Sequence, residues 1–367
     1  MRVLALSSYP VDAAATRFRI WQYKGLLQKE DIAIELSPFL TGPQFRRLYE
    51  SRSPLGKLAG IAGSVTRRIV ETFTSPRYDL LLIQREAMFF GPAFFEWMYQ
   101  RFGRMPMVLD LDDATYVRYV SPRFGRLGSF FKFFGKTDRL IDRADLVICG
   151  NRYIAEYVEK RGTKPIIIPT IVDTDVFCPV EKSKDIPVIG WIGTHSTFPF
   201  LERLFPIFAD LAKRHDFKLK IVGSGKTDVG IEGVKIENHF WSLDREVADF
   251  QSLDIGLYPL DVKGDLDPAW LAGKSGFKAI QYLAVGIPFV MSPIGVCAEI
   301  GEPEKTHFNA ETVQDWYNSL DRLLSDPKLR RTMGSAGRSH SLATYRLDKH
   351  ASELSKALVG VCEQHRS

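Results

Sequence analysis

Residues 268–290 read PAWLAGKSGFKAIQYLAVGIPFV, and the fold turns on how this stretch is read. From Phe277 the apolar residues Phe277, Ile280, Leu283 and Ala284 recur at three- and four-residue spacing, which predicts a helix that Gly286 and Pro288 end. Lys274 and Lys278 fall at its start. A helix N-terminus carries roughly half a positive charge and unsatisfied N–H groups, so an exposed cation there costs about 0.3–1 kcal/mol. An anion held between the lysines and the amides reverses that sign. Gly273 and Gly276 bare the backbone for its close approach. Two solvated lysines on a surface turn would read the same way, so the rest of the chain has to decide.

At 367 residues the chain exceeds one ordinary core, and its 45% hydrophobic and 25% charged residues are those of a globular protein. Residues 1–172 hold 26 Lys/Arg against 17 Asp/Glu, which leaves the remainder at −4 of the chain's net +5. The first half is the basic one, and its partner is expected to be anionic. Cys149, Cys178, Cys297 and Cys362 are widely spaced and form no zinc-binding pattern, so a reducing, cytoplasmic setting is expected. The N-terminal run MRVLALSSYP is too short for a signal peptide and reads as a first strand. No apolar run approaches the length of a membrane span.

Short β-rich runs alternate with helical patterns: VLALSS, IAIELS, LLLIQ, MVLDL, LVICG and PIIIP, then VIGWIG, KLKIVG, VKIE, IGLYP and PFVMS. RIWQYKGLLQ, FPFLERLFPIFADLAKR and LDREVADFQSL read as helices between them. This alternation predicts an α/β protein with parallel sheets covered on both faces. The polar stretch 172–187, with two prolines, marks a domain boundary. Domains are expected at 1–175 and 186–345, with a C-terminal helix over 346–367 packing back on the first. Ligands of such sheets collect at the carboxyl ends of the strands, here expected to face a central cleft.

In VIGWIGTHST a strand runs into Gly193, Thr194, His195, Ser196 and Thr197, and KLKIVGSGK repeats the pattern with Gly223 and Gly225. Glycine and small hydroxyl residues between strand and helix suit anion binding by backbone amides. A tight turn with a Ser or Thr cap would look the same. Two such strands and a doubly basic helix start in one domain point to a nucleotide diphosphate.

Taken together, IGWIGTHST, DIGLYPL, GKSGFKAIQYLAVGIPFVMSPIGV and MGSAGR resemble the retaining, nucleotide-sugar-dependent glycosyltransferases of family four, which have the GT-B fold of two doubly wound Rossmann-like domains. YPVDAAATRFRIWQY, YDLLLIQREAMFFGP, VLDLDDATY, ADLVICGNRYIAEYV and IPTIVDTDVF resemble the acceptor domain of bacterial members that build surface polysaccharides. The resemblance runs from about residue 2 to residue 345. It implies transfer of a sugar from a nucleotide-sugar to a lipid-linked or glycan acceptor, without a bound metal or other cofactor. Alternatives are a nucleotide-sugar 2-epimerase of the same architecture and a binding protein without turnover.

Many members carry two glutamates where this chain has Gly273 and Gln281, and an Arg and a Lys in the loop that reads GTHSTFPF here. The resemblance implies that Gln281 keeps a ribose contact and that Lys274, with Lys278, replaces the missing cations at the diphosphate. It places Asp112 of DLDD near a histidine that in many members stands beside the reacting carbon. Asp110, Asp112 and Asp113 are oxygen ligands of the kind divalent metals take, but they lie in the domain that lacks the diphosphate signals. A turn and helix-cap role accounts for the cluster equally well. Arg17 and Arg19 after the first strand suit an anionic acceptor or the leaving diphosphate. Arg85 and Glu86, with Gln84, end another first-domain strand and are secondary acceptor-side candidates. Glu299 is expected near the donor, or else is a helix N-terminal charge.

The excess charge lies in residues 41–75, with Arg46, Arg47, Arg52, Lys57, Arg67 and Arg68, and in SPRFGRLGSFFKFFGK at 121–136, with Phe124, Phe130, Phe131, Phe133 and Phe134. Basic residues among aromatics suit an anionic membrane surface, which would make the protein peripheral on the inner face of the cell membrane. Core-facing aromatics are the other reading. Nucleic acid is set aside, since no nucleic-acid-binding signature accompanies the patch.

Overall fold

The computed structural model describes residues 1–50, 54–118, 131–181, 186–260 and 267–366, with backbone alone at 48–50, 54 and 55. Arg52, Phe124 and Phe130 therefore lie outside the described residues. The strand-like runs form two all-parallel sheets. The first contains β1 (Arg2–Ser7), β2 (Ala33–Pro38), β3 (Leu80–Gln84), β4 (Met107–Leu111), β5 (Leu146–Cys149) and β6 (Pro165–Ile167), in the order β2-β1-β3-β4-β5-β6. The second contains β7 (Val188–Ile192), β8 (Lys218–Val222), β9 (Lys235–His239), β10 (Ile255–Tyr258), β11 (Phe289–Met291) and β12 (Phe308–Asn309), in the order β12-β11-β10-β7-β8-β9. β3, β4 and β7 are buried along their whole length, as strands covered on both faces must be. This is why they read as continuous apolar runs.

All eleven runs read as strands become strands. β12 escapes the sequence because it is two residues long, held by the register Val290↔Phe308 and Met291↔Asn309. Expected helices break where the backbone cannot continue. The segment 198–214 becomes Phe198–Glu202 and Phe205–Ala212, since Pro206 has no N–H for the carbonyl of Glu202. The opening stretch becomes Pro268–Ala272 and Phe277–Ala284, separated by Gly273, Lys274, Ser275 and Gly276.

The chain divides into two compact units, Met1–Thr170 with Asp348–Ser367, and Ile171–Leu347. In the first, the C-terminal helix Leu347–Arg366 brings Cys362 Sγ within 3.3 Å of Met1 Sδ, and Arg366 donates to Asp79 at 3.1 Å. The core lies between sheet and helices, with Leu4, Leu81, Ile83 and Leu109 fully buried. Arg68, on the helix Pro54–Thr74, has no exposed surface and donates to Ser7 O at 3.1 Å, Ser37 O at 2.8 Å and Ala87 O at 3.3 Å. One guanidinium thus ties together the chain leaving β1, β2 and β3. All four cysteines are free thiols.

In the second unit His307, without exposed surface, stacks on Phe289 at 4.8 Å, and its Nε2 stands 3.1 Å from Asn309 Oδ1. Burial pushes the imidazole down from 6.5 to about 4, against the pull of Asn309. The folded value lies below the unfolded one, so the neutral ring's contribution is complete above pH 6.5 and is lost as pH falls toward 4. At 1.36 kcal/mol per unit, acidification to pH 4 should remove up to about 3 kcal/mol from the second unit. Urea midpoints measured across that range should fall for the wild type and stay flatter for His307→Gln. Parallel slopes would dismiss the assignment.

Candidate functional site

Both sheets reverse their strand order, the first between β1 and β3 and the second between β7 and β10. Crossovers leave in opposite directions at these points and open a crevice at the carboxyl ends, where open α/β sheets hold ligands. In the second unit, β7 is followed by Gly193, whose N–H donates to Val222 O at 3.0 Å. A Cβ on Gly193 would meet the Trp191 ring at 2.2 Å, and one on Gly223, at φ +84°, would meet Gly193 O at 2.3 Å. The two strand-ending glycines are therefore in backbone contact. Gly225, at φ +74°, lies against His195. Thr194, His195 and Ser196 are exposed, with Thr194 Oγ1 and Ser196 Oγ 2.8 Å apart and Thr197 Oγ1 donating to Thr194 O at 3.2 Å. This is a hydroxyl-rich turn on a glycine floor.

The crossover from β10 to β11 brings in the lysines, and they part company. Lys274 stands half-buried in the link between the two short helices, its Nζ 3.5 Å above the Trp270 ring. Gly276, at φ +63°, starts the following helix; a Cβ there would meet Ile300 Cδ1 at 2.1 Å. Gly295, at φ +58°, lies against Ala272, so the turn leaving β11 braces the lysine's loop from both ends. Lys278 turns along its own helix, donating to Gln281 Oε1 at 3.1 Å with Nζ 5.1 Å from the centre of the buried Phe250 ring. Gln281 has no exposed surface, and among the described residues its Nε2 finds no partner. A buried amide donor left so costs about 1–3 kcal/mol. Glu299 is exposed at the end of the turn Gly295–Glu299, and its charge acts with burial to push the Tyr345 hydroxyl up to about 12, burial being the larger cause.

In the first unit the charged residues leaving β1, β3 and β4 neutralise one another. Arg19, nearly buried, clasps Asp110 through Nε and Nη2 and donates to Ile168 O at 2.6 Å. Burial works against its charge, yet Asp110 holds the guanidinium above its ordinary value. Arg85, at φ +61°, places Nε 2.6 Å from Asp112 Oδ1 and Nη2 2.7 Å from Oδ2, while Gln84 donates to the same Oδ1 at 3.0 Å. Burial would push the Asp112 carboxyl up, but this bidentate contact holds it below the ordinary carboxylate range. Glu86 pairs with the buried Lys136 at 2.7 Å, and Lys136 also donates to Met88 O at 2.6 Å. Arg17 stays half-exposed, donating to Val11 O at 3.0 Å and Asp12 O at 3.1 Å. Asp110 and Asp112 are thus each matched to an arginine. Among the described residues no three His, Cys, Asp or Glu side chains gather as metal ligands.

The structure brings together Gly193, Thr194, His195, Ser196 and Gly223, and separately Arg85 with Asp112, while Arg17 and Arg19 point into different surroundings. Sequence reasoning missed Trp270 under Lys274. It also missed Trp241, part-exposed beside Gly223, though an aromatic directly after a strand was a signal to follow. A cavity of about 530 Å³ opens along the edge strand β2, between Trp21 and Tyr78. Its lining follows β2 from Ala33 to Pro38 and takes in Pro10 and Val11 of the loop after β1, while Glu35, paired with Arg77 at 2.9 Å, blunts that edge.

No protein-family model matches the chain, and no curated protein matches it. Solved structures do, over nearly its whole length. Sucrose-phosphate synthase from Thermosynechococcus elongatus is 14% identical with a TM-score of 0.64, covering 97% of this chain and 98% of its own. A glycosyltransferase from Rickettsia africae ESF-5 is 13% identical with a TM-score of 0.66, at 98% of each. Anabaena HepE, solved in complex with UDP-glucose, is 17% identical with a TM-score of 0.66, at 98% of this chain and 100% of its own. At such identities the likeness is one of fold: two six-stranded Rossmann-like units of the GT-B class.

The pairing around Arg19 sets up a contrast with Arg17. Arg19→Ala leaves Asp110 buried and unpaired and should destabilise the first unit by about 3–5 kcal/mol. Arg17→Ala, at a half-exposed position, should cost about 1 kcal/mol or less. Denaturant unfolding of both variants measures the difference, and equal midpoints would remove the structural role given to the Arg19–Asp110 pair.

Proposed function

We propose that the protein is a glycosyltransferase that takes its sugar from a nucleotide-sugar bound by the second unit. The observation that carries this reading is that β7 and β10 are neighbours at the topological switch, with the glycine floor and hydroxyl turn following the one and the lysine-bearing link lying in the crossover that follows the other. The fold it shares with HepE, whose structures hold UDP-glucose and UDP, supports the donor class. Backbone amides at Gly193–Thr197 and the positive start of the helix Phe277–Ala284 suit a diphosphate. Lys274 is the cation assigned to it, held over Trp270 rather than free in solvent. As the sugar–oxygen bond breaks, negative charge develops on the departing diphosphate, and a fixed cation there lowers the barrier by preorganised electrostatics. Gln281 is assigned to the ribose, where a hydroxyl would satisfy its unpartnered amide.

Retention at the anomeric carbon, a lipid-linked or glycan acceptor and a place in surface-polysaccharide synthesis rest on the resemblance of the sequence motifs. In the first unit, Arg17 and the Arg85–Asp112 pair at the ends of β1, β3 and β4 are assigned to the acceptor side. Leaving-group stabilisation by Lys274 and the helix start needs no metal, which makes this a metal-independent transferase.

A thermal-shift panel of UDP-, GDP-, ADP- and dTDP-sugars should reveal one that raises the melting temperature, because a ligand of the native state alone stabilises it. Lys274→Ala should then weaken that donor and lower turnover by about 1.5–3 kcal/mol, the range of a charge-assisted hydrogen bond. Unchanged kinetics would return Lys274 to the surface. Product analysis in the same assay separates transfer from 2-epimerisation and from binding without turnover.

Activity should survive saturating EDTA. Loss on chelation with rescue by magnesium or manganese would overturn the metal-independent assignment.

A further inference from the structure

The helix Pro54–Thr74 is built inside out. From Gly56 to Thr74 every exposed residue is apolar, glycine or threonine, while Lys57, Arg67, Arg68 and Glu71 are half-buried or buried. Arg68 pairs with Glu71 at 2.9 Å, and Arg67 donates to Pro38 O at 2.6 Å and Phe39 O at 2.7 Å. A surface helix ordinarily turns its charges to water and its apolar stripe to the core. Here the charges are spent on the carbonyls behind the helix, and the apolar side is left outside.

A second helix, Phe94–Gly103, extends that side. Its Tyr99 hydroxyl donates to Glu71 at 2.7 Å, and the Phe73 and Phe102 rings lie 5.4 Å apart. Its exposed residues are Phe94, Trp97, Arg101 and Phe102, followed by Arg104. Leu58, Val70, Phe73, Phe94, Trp97 and Phe102 are between 43% and 62% exposed, all within the first unit. The longer helix alone spans about 30 Å at 1.5 Å per residue. Water-exposed apolar surface on this scale marks a contact site.

Charge decides between the two occupants a flat apolar strip could take. A second copy would meet this face with the same face, so both sides of the contact would carry Arg101 and Arg104. Among the described residues neither helix exposes a carboxylate to answer them, so self-contact is electrostatically opposed. An anionic bilayer supplies both missing complements, phosphates for the arginines and an acyl boundary for the aromatic and aliphatic side chains. Among the described residues no helix is long and apolar enough to cross a membrane, so the pair would lie in the interface rather than span it.

We propose that the outward faces of Pro54–Thr74 and Phe94–Gly103 dock the first unit on an anionic lipid surface. This face shares Pro54–Thr74 with the one expected from residues 41–75 and 121–136, but it is apolar where that one was basic, since Arg67, Arg68 and Lys136 are turned inward. The proposal does not depend on the glycosyltransferase reading, because its test measures binding and not turnover.

The full chain is co-sedimented with phosphatidylcholine vesicles, with and without phosphatidylglycerol, at low and high salt. The wild type should bind the phosphatidylglycerol vesicles at low salt and retain part of that binding at high salt. Val70→Ser, Phe73→Ser and Trp97→Ser combined should lower binding more than tenfold without lowering the melting temperature, since all three side chains are exposed. Arg101→Ser with Arg104→Ser should cost about five-fold per charge and flatten the salt dependence. Lipids brominated on the acyl chain should quench tryptophan emission in the wild type more than in Trp97→Phe, a variant that keeps the apolar face. Absence of binding to phosphatidylglycerol vesicles at low salt, equal binding by the triple variant, or equal quenching in Trp97→Phe overturns the proposal. So does a dimer in analytical ultracentrifugation that the triple variant dissolves, which would give the face to a second copy.

Discussion

The Gly193 carbonyl stands where a Cβ on Gly223 would come within 2.3 Å of it, and the carboxyl end of the second sheet is organised around that contact. Parallel strands in register place the ends of β7 and β8 side by side, with Ile192 opposite Val222. Two chains leaving adjacent strands can turn away together only if neither carries a side chain at the crossing. With both positions bare, the loops of His195 and Gly225 pack on each other, and the hydroxyl turn Thr194–Thr197 is presented above a backbone floor. The same economy recurs at Gly276 and Gly295, where positive φ and tight packing hold the lysine's loop against the exit of β11. Glycine is used in this crevice as a constraint on distance, which is what binding by backbone amides requires.

The first unit solves a different problem at its own switch point. There the ends of β1, β3 and β4 carry charges into a nearly dry region, and each is matched: Arg19 to Asp110, Arg85 to Asp112, Lys136 to Glu86. Desolvating such pairs is costly, and a well-packed apolar substitute would often be as stable. What the pairs provide is orientation. Arg19 fastens the first helix to the end of β4 and to the chain after β6, and Arg85 fixes Asp112 with both carboxylate oxygens engaged. The second unit instead keeps Thr194 and Ser196 exposed and Lys274 and Lys278 half-buried. The phosphate-binding role proposed for the second unit would use that exposed hydroxyl turn.

The buried arginine of Pro54–Thr74 joins scaffold to surface. Because Arg68 must reach the carbonyls of Ser7, Ser37 and Ala87, the helix is rotated with its charged side toward the sheet. Its other side, with Leu58, Ala59, Ala62, Ile69, Val70 and Phe73, is turned out as a consequence. The demand of those strand-end carbonyls for a donor thus sets which face of the helix meets the surroundings.

By itself the sequence determined the features that depend on local pattern. Short β-rich runs of four to six residues located eleven strands, most plainly β3, β4 and β7, because strands covered on both faces need no polar alternation. Glycine and proline located the ends of the helix at 277–284, and the alternation of elements dictated parallel sheets. The glycines of the candidate donor crevice were legible for the same reason: only backbone conformation and close approach demand them. Tertiary structure decided the fate of each charge. Lys274 and Lys278 look alike in sequence, yet one is held over Trp270 and the other is drawn to Gln281, because the first lies in the link before the helix and the second in its first turn. Arg19 and Asp110 are 91 residues apart, and their pairing exists only because β4 lies two strands from β1 in the sheet. Arg67, Arg68 and Lys136 read as a basic surface in a linear count and proved to be interior donors. Composition records how many charges a helix carries, but which side of that helix meets unsatisfied carbonyls is fixed only when the sheet beneath it is assembled.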